Sequence, residues 1–201
     1  MGTVWSPVYP PAVRFTAVAV VAGLLLGLAT GGRISNMSRR SLRGWVLLAA
    51  GIATQVAAGR VGGVELTTPL VLVSYGLLLA FAACNLHLVG MGVVIVGMLA
   101  NAVVIGLNDG MPIRPSAVVA AGLASPDEAG RLRADSKRRP EQAGDRAVIL
   151  ADIVPVPPLR EVVSFGDLIM GVGIADAVVH LMRPRPRVRP RRDPQLLTAG
   201  A

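Results

Sequence analysis

The feature that most constrains this chain is the run from Pro69 to Leu107, which contains no Asp, Glu, Lys or Arg. A helix needs roughly 17–25 apolar residues to cross a hydrocarbon core of about 30 Å. The run is therefore too long for one span. The polar and flexible Asn85-Leu86-His87 and Gly90-Met91-Gly92 divide it, predicting two helices joined by a tight turn. Three further stretches have a comparable character: about Pro11 to Thr30, Trp45 to Ala58, and Val162 to Met182. The second is short and carries Thr54 and Gln55, so it is the least secure of the five. The expected fold is an all-α, polytopic transmembrane helical bundle of about five spans.

Composition supports that reading. Charged residues make up 16% of the 201 residues and hydrophobic ones 53%, whereas ordinary soluble domains carry about 25% charge. A water-soluble domain of this size would lack the charge to cover its surface. Aromatics are only 3%, leaving Ala, Val, Leu, Ile and Gly, which suit lipid-facing helices and close helix contacts. The net charge is +8, nearly all from arginine, with Lys137 the only lysine. That charge lies beside apolar runs, so the lipid bilayer rather than nucleic acid is the expected partner. The single Cys84 excludes an intramolecular disulfide and a multi-cysteine metal site.

Arginine placement sets an orientation. Arg33, Arg39, Arg40 and Arg43 follow the first span, and six arginines from Arg183 to Arg192 follow the last. Between spans two and three stand one Arg60 and one Glu65. By the positive-inside rule the first loop and the C-terminus are cytoplasmic, and an odd number of spans puts the N-terminus outside. Trp5 and Tyr9 then belong to the outer aromatic belt and Trp45 to the inner one. The basic cluster follows the first apolar run instead of preceding it, which is the wrong polarity for a cleaved signal peptide. The expected location is a bacterial inner membrane. The Asn36-Met37-Ser38 sequon falls on the cytoplasmic side and is discounted.

The expected organisation is four transmembrane helices in residues 1–107, an extracytoplasmic Pro/Gly-rich segment at 108–161, a fifth helix at 162–182, and an Arg/Pro-rich cytoplasmic tail at 183–201. The 108–161 segment has eight basic and eight acidic residues and hence no net charge. Ser125-Pro126-Asp127-Glu128 reads as the start of a short helix. Two apolar stretches, Ala117 to Ala124 and Ala147 to Val156, are too short to cross. An interfacial cap over the outer helix ends is the expected form of this segment. The tail alternates Arg and Pro, predicting an extended chain held near anionic lipid heads.

Ionisable groups inside spans are costly and mark candidate sites. Asp176 and His180 lie four apart on one face of the last helix, where a carboxylate–imidazole pair can relay protons or simply make a structural contact near the interface. Asp167 stands three residues after Ser164, the spacing of a capping box. Asn101 and Asn108 share a helix face, and interhelical hydrogen bonding accounts for them. Gly23, Gly27 and Gly31 form a ladder at intervals of four, the spacing that lets another helix approach closely. No phosphate-binding loop, zinc-protease helix, nucleophile elbow or dinucleotide fingerprint is present. No cofactor or metal is expected.

Two stretches resemble a family. Asn108-Asp109-Gly110-Met111-Pro112 is similar to the Asn-Gly-x-Met-Pro element of bacterial multi-pass membrane proteins known as a domain of unknown function, with Asp109 inserted between Asn and Gly. Leu150-Ala151-Asp152-Ile153-Val154-Pro155 and Ser164-Phe165-Gly166-Asp167 resemble that family's second element, in which Ser-x-Gly-Asp opens the last helix. The likeness covers about Asn85 to Gly173. It implies an outer-face cluster of Asn108, Asp109, Asp152 and Asp167, and no activity. Grouped carboxylates can bind a cation or share a proton; capping and turn formation account for each separately.

Three functions fit these observations. The first is a non-catalytic component or assembly partner of a membrane complex. The second is a small transporter or channel using Asp176 and His180. The third is an intramembrane enzyme using Asp109, Asp152 and Asp167.

Overall fold

The computed structural model describes residues 13–39, 42–60, 64–129 and 137–184. Trp5, Tyr9 and nearly all of the Arg/Pro-rich tail lie outside them. Five long helices form: α1 (Val13–Ala29), α2 (Trp45–Ala58), α3 (Val64–Cys84), α4 (Met91–Asn108) and, after an intervening segment, a last helix (Phe165–Met182). The 108–161 region is not purely helical, which corrects the all-α expectation. It holds β1 (Met111–Ile113), the short helices α5 (Pro115–Ala120) and α6 (Pro126–Ala129), then β2 (Arg138–Pro140), β3 (Val154–Val156) and β4 (Glu161–Val163). The last helix is therefore α7.

The division of the long apolar run occurs where its sequence predicts. α3 ends at Cys84, and α4 starts after Gly90, whose φ of +93° is a left-handed turn that glycine adopts without strain. Pro69 does not begin α3, as its place in sequence suggested, but lies inside a helix that starts at Val64. Val162 and Val163 belong to β4 rather than to the last span. They pair antiparallel with Pro155 and Val154, and α7 begins only after Ser164 supplies its N-cap.

The long helices pack in a row in the order α2, α3, α4, α7, α1. Hydrogen bonds at the row's two ends give their directions. At one end Glu161 meets the start of α1. At the other, Arg33 N–H donates to Met182 O at 2.9 Å and Arg43 N–H donates to Asn85 Oδ1 at 2.9 Å. The first loop, the turn between α3 and α4, and the end of α7 thus share one end, and the four strands lie at the opposite one.

Among the described residues three helices, α3, α4 and α7, are long and apolar enough to cross a membrane. Large apolar side chains such as Leu25, Val73, Val96, Val103 and Val172 are exposed along the row. Water penalises such a surface and lipid does not. It fits an integral membrane protein.

Candidate functional site

Close helix contact positions the site. α4 and α7 touch at glycines seven apart on each helix. A Cβ on Gly97 would stand 2.6 Å from Met170 N, and one on Gly173 would stand 2.7 Å from Val94 N. With backbones this close, a short polar side chain can bridge them, and Asn101 does so. Its Nδ2 donates to Asp167 Oδ1 at 2.8 Å, and its Oδ1 accepts from Ser164 Oγ at 2.8 Å. Ser164 and Asp167 form the reciprocal capping box of α7: Asp167 N–H donates to Ser164 Oγ at 2.9 Å, and Ser164 N–H donates to Asp167 Oδ2 at 3.1 Å. Asn101 and Ser164 are fully buried and Asp167 nearly so.

Above this cap lies a buried ionic cluster. β1 pairs in parallel with β2, and Ile113 of β1 also bridges to Asp152 on its other side. Asp152 N–H donates to Pro112 O and its carbonyl accepts from Arg114 N–H, both at 3.0 Å. That backbone grip turns the Asp152 side chain inward, where it is 1% exposed. Oδ2 lies 2.6 Å from Arg138 Nε, an ion pair too poorly aligned to count as a hydrogen bond for either carboxylate oxygen. Arg138, equally buried, also donates from Nη2 to Val162 O at 3.2 Å, joining β2 to β4.

Lys137 completes the cluster, with Nζ 5.5 Å from the centroid of the buried Tyr75 ring of α3. Burial on its own pushes the ammonium down, and Tyr75, Asp167 and Asp152 together outweigh it, so Lys137 titrates above its ordinary value. Burial pushes the Asp152 carboxyl up to about 6; Asp167 adds to the rise, while Arg138 and Lys137 oppose it. With all four groups charged, two cations balance two carboxylates.

The other residues singled out in sequence have different surroundings. Asn108 caps the end of α4 by accepting from Arg146 N–H at 2.7 Å and donating to Arg146 O at 3.0 Å. Asp109 next to it is exposed, in a left-handed turn with φ 51°, and no described residue bonds its side chain. The four acidic and amide residues of the resemblance thus divide: Asp152 and Asp167 act on one another, Asn108 joins α4 to the 146 loop, and Asp109 faces outward. Asp176 and His180 pair at 3.0 Å from Oδ1 to Nδ1 near the far end of α7, and both are partly exposed. In the glycine ladder, Gly23 packs on Ala175 and Gly27 on Met182 of α7, so the partner helix is in this chain. Gly31 meets nothing within 4 Å; Gly32 takes the third contact, against Met182.

Sequence reasoning missed Arg138, Tyr75 and Glu161 as site or anchoring residues. Glu161, 1% exposed, accepts from Arg14 N–H at 2.9 Å and Phe15 N–H at 2.8 Å, capping α1 from β4. The family resemblance puts Asp152 and Asp167 in one cluster, but no feature of the sequence assigns Arg138, Lys137 or Tyr75 to it. No group of three or more His, Cys, Asp or Glu among the described residues is placed to hold a metal.

The sequence pattern of a family of unknown function, DUF5317, matches residues 36–179, well over half of the chain. This chain belongs to that family. The match includes α2, α3, α4, the strands, and α7 as far as Val179, and hence every member of the buried cluster. No curated protein and no solved structure matches the chain.

Proposed function

We propose that this chain is a five-span protein of a bacterial inner membrane, N-terminus outside and C-terminus cytoplasmic, that serves as a non-catalytic component or assembly partner of a membrane complex. The observation that carries the role is how the chain uses its interior polar side chains. Asn85, Asn101, Asn108 and Glu161 each bind another part of the same chain. They hold five helices and an outer cap in one arrangement. A rigid body with long apolar flanks is suited to docking other helices.

Alternating helix direction supports five crossings, and Arg33, Arg43 and Arg183 at the end away from the strands support the orientation. At about 1.5 Å per residue, α1 and α2 are shorter than the core of a bilayer, which local thinning accommodates. The described parts of 109–163 then form an interfacial cap on the outer face.

Native mass spectrometry after gentle extraction tests the role. A second protein at fixed stoichiometry is expected; a chain that is always recovered alone overturns the reading. The exposed Cys84 tests the orientation. An impermeant thiol reagent should label it only after the membrane is opened, whereas Ala143→Cys in a Cys84→Ser chain should react from outside. The opposite pattern would reverse the topology. The 3.0 Å Asp176–His180 pair favours transport as the second reading, and flux in vesicles indifferent to Asp176→Asn would remove it.

A further inference from the structure

We propose that Asp152 is a proton-binding site, taking up a proton at Oδ1 reversibly beneath the strands of the 109–163 segment. The geometry gives three reasons. First, the side chain is 1% exposed and neither carboxylate oxygen receives a well-formed hydrogen bond. A buried carboxylate left this way lacks the solvation that its charge needs. A proton is the smallest ligand that removes the deficit, and it requires no open cavity.

Second, the main chain holds the group in place whatever its charge. Its N–H and C=O are bonded to Pro112 and Arg114 at 3.0 Å, so the side chain cannot turn outward to find water without breaking the bridge to β1. Third, the surroundings can take either state. Arg138 of β2 faces it at 2.6 Å, Lys137 comes from the residue before β2, and Asp167 comes from the first turn of α7. Tyr75 of α3 faces Lys137, and α4 contributes the neutral Asn101. When Asp152 is ionised the four charges cancel. When it is protonated, Lys137 keeps the nearby charge of Asp167, and the link from Arg138 to Asp152 becomes a contact with a neutral carboxyl. Arg138 keeps its bond to Val162 O, so uptake slackens the tie between β2 and the 152 segment without releasing the strands.

The sign of the linkage is definite. The folded carboxyl titrates near 6 against an ordinary value of 3.8. The folded chain therefore binds this proton more tightly than the unfolded chain does. Through this group, stability is lowest above about pH 6 and rises as the pH falls towards 4.

Infrared difference spectra of the full chain in lipid nanodiscs, taken between about pH 7 and about pH 5, test the site. A protonated-carboxyl C=O band should appear in the unaltered protein and vanish in Asp152→Asn. Its midpoint should fall in Asp167→Asn, which removes a like charge, and rise in Lys137→Gln, which removes an opposite one. Opposite shifts in the two neighbours are a signature that loosened packing does not produce. They decide the matter even if Asp152→Asn fails to fold. Absence of any carboxyl titrating in that interval overturns the proposal, as does a band that survives Asp152→Asn or moves the same way in both neighbours.

Discussion

At the end of α7 beneath the strands, Asp167 is 5% exposed and each of its carboxylate oxygens accepts a hydrogen bond. Fourteen ångströms along the same helix, by a rise of about 1.5 Å per residue, Asp176 has 40% of its side chain exposed and meets only His180. Both are acids in one apolar helix, and the sequence presents them as equal suspects. What separates them is which donors reach each acid and what covers it. Near Asp167, glycines bring α4 against α7 so closely that Asn101 can reach it, and the strand segment seals the end. Near Asp176 the next polar group is four residues along the same helix. An intrahelical pair of that kind is worth little and asks nothing of the rest of the fold. α4 and α7 approach closely near both acids, so along α7 the burial of a charge follows the donors and the covering strands that reach it and not hydropathy.

Substitutions can break or sharpen this contrast. The largest effect is expected from Gly97→Val, because its new atoms meet the main chain of α7 at Gly166 O and Met170 N, beside Asp167. Main-chain atoms cannot swing away, so the loss should reach about 3 kcal/mol, read as thermal unfolding in detergent or as collapse of folded yield. If Gly97→Val is tolerated, close contact is not what defines the buried end. Asn101→Leu comes next. It keeps the branched shape and leaves Asp167 and Ser164 short of a partner, for a loss of about 2 kcal/mol by the same measurement. Glu161→Ala removes the trans cap from α1. About 1 kcal/mol of stability and faster amide exchange at Arg14 and Phe15 are expected, with the rest of the chain unchanged. Asp176→Asn should move stability by no more than about 0.5 kcal/mol. A loss there as large as that of Asn101→Leu would mean that the two ends of α7 are equally committed and would abolish the comparison.

Much of the helical framework was legible. The turn at Gly90, the extent of α2 and the capping box of Ser164 and Asp167 each depend on residues within a few positions of one another, and local rules describe them. The shift at Val162 and Val163 shows where local rules stop. Two apolar residues before a capped helix look like part of the span, yet their main chain is committed to Val154 and Pro155. Pairing with a strand several residues upstream is invisible to hydropathy. Gly31 teaches the same lesson on a smaller scale: spacing of four fits the ladder, but its φ of +81° ends the helix there and hands the contact to Gly32.

The candidate site was legible only in part, for the same reason. Asp152 and Asp167 stood out as acids beside apolar runs, but nothing near either one in sequence names Arg138, Lys137 or Tyr75 as neighbours. By itself the sequence determined a chain of apolar helices with most of its charge in the loops, because the hydrophobic effect acts on composition and periodicity, both of which are local. Only the tertiary structure decided which acid is buried and which is left at the surface. That outcome depends on the dielectric and the donors around each group, and these come from residues brought together from α3, α4, α7 and three strands.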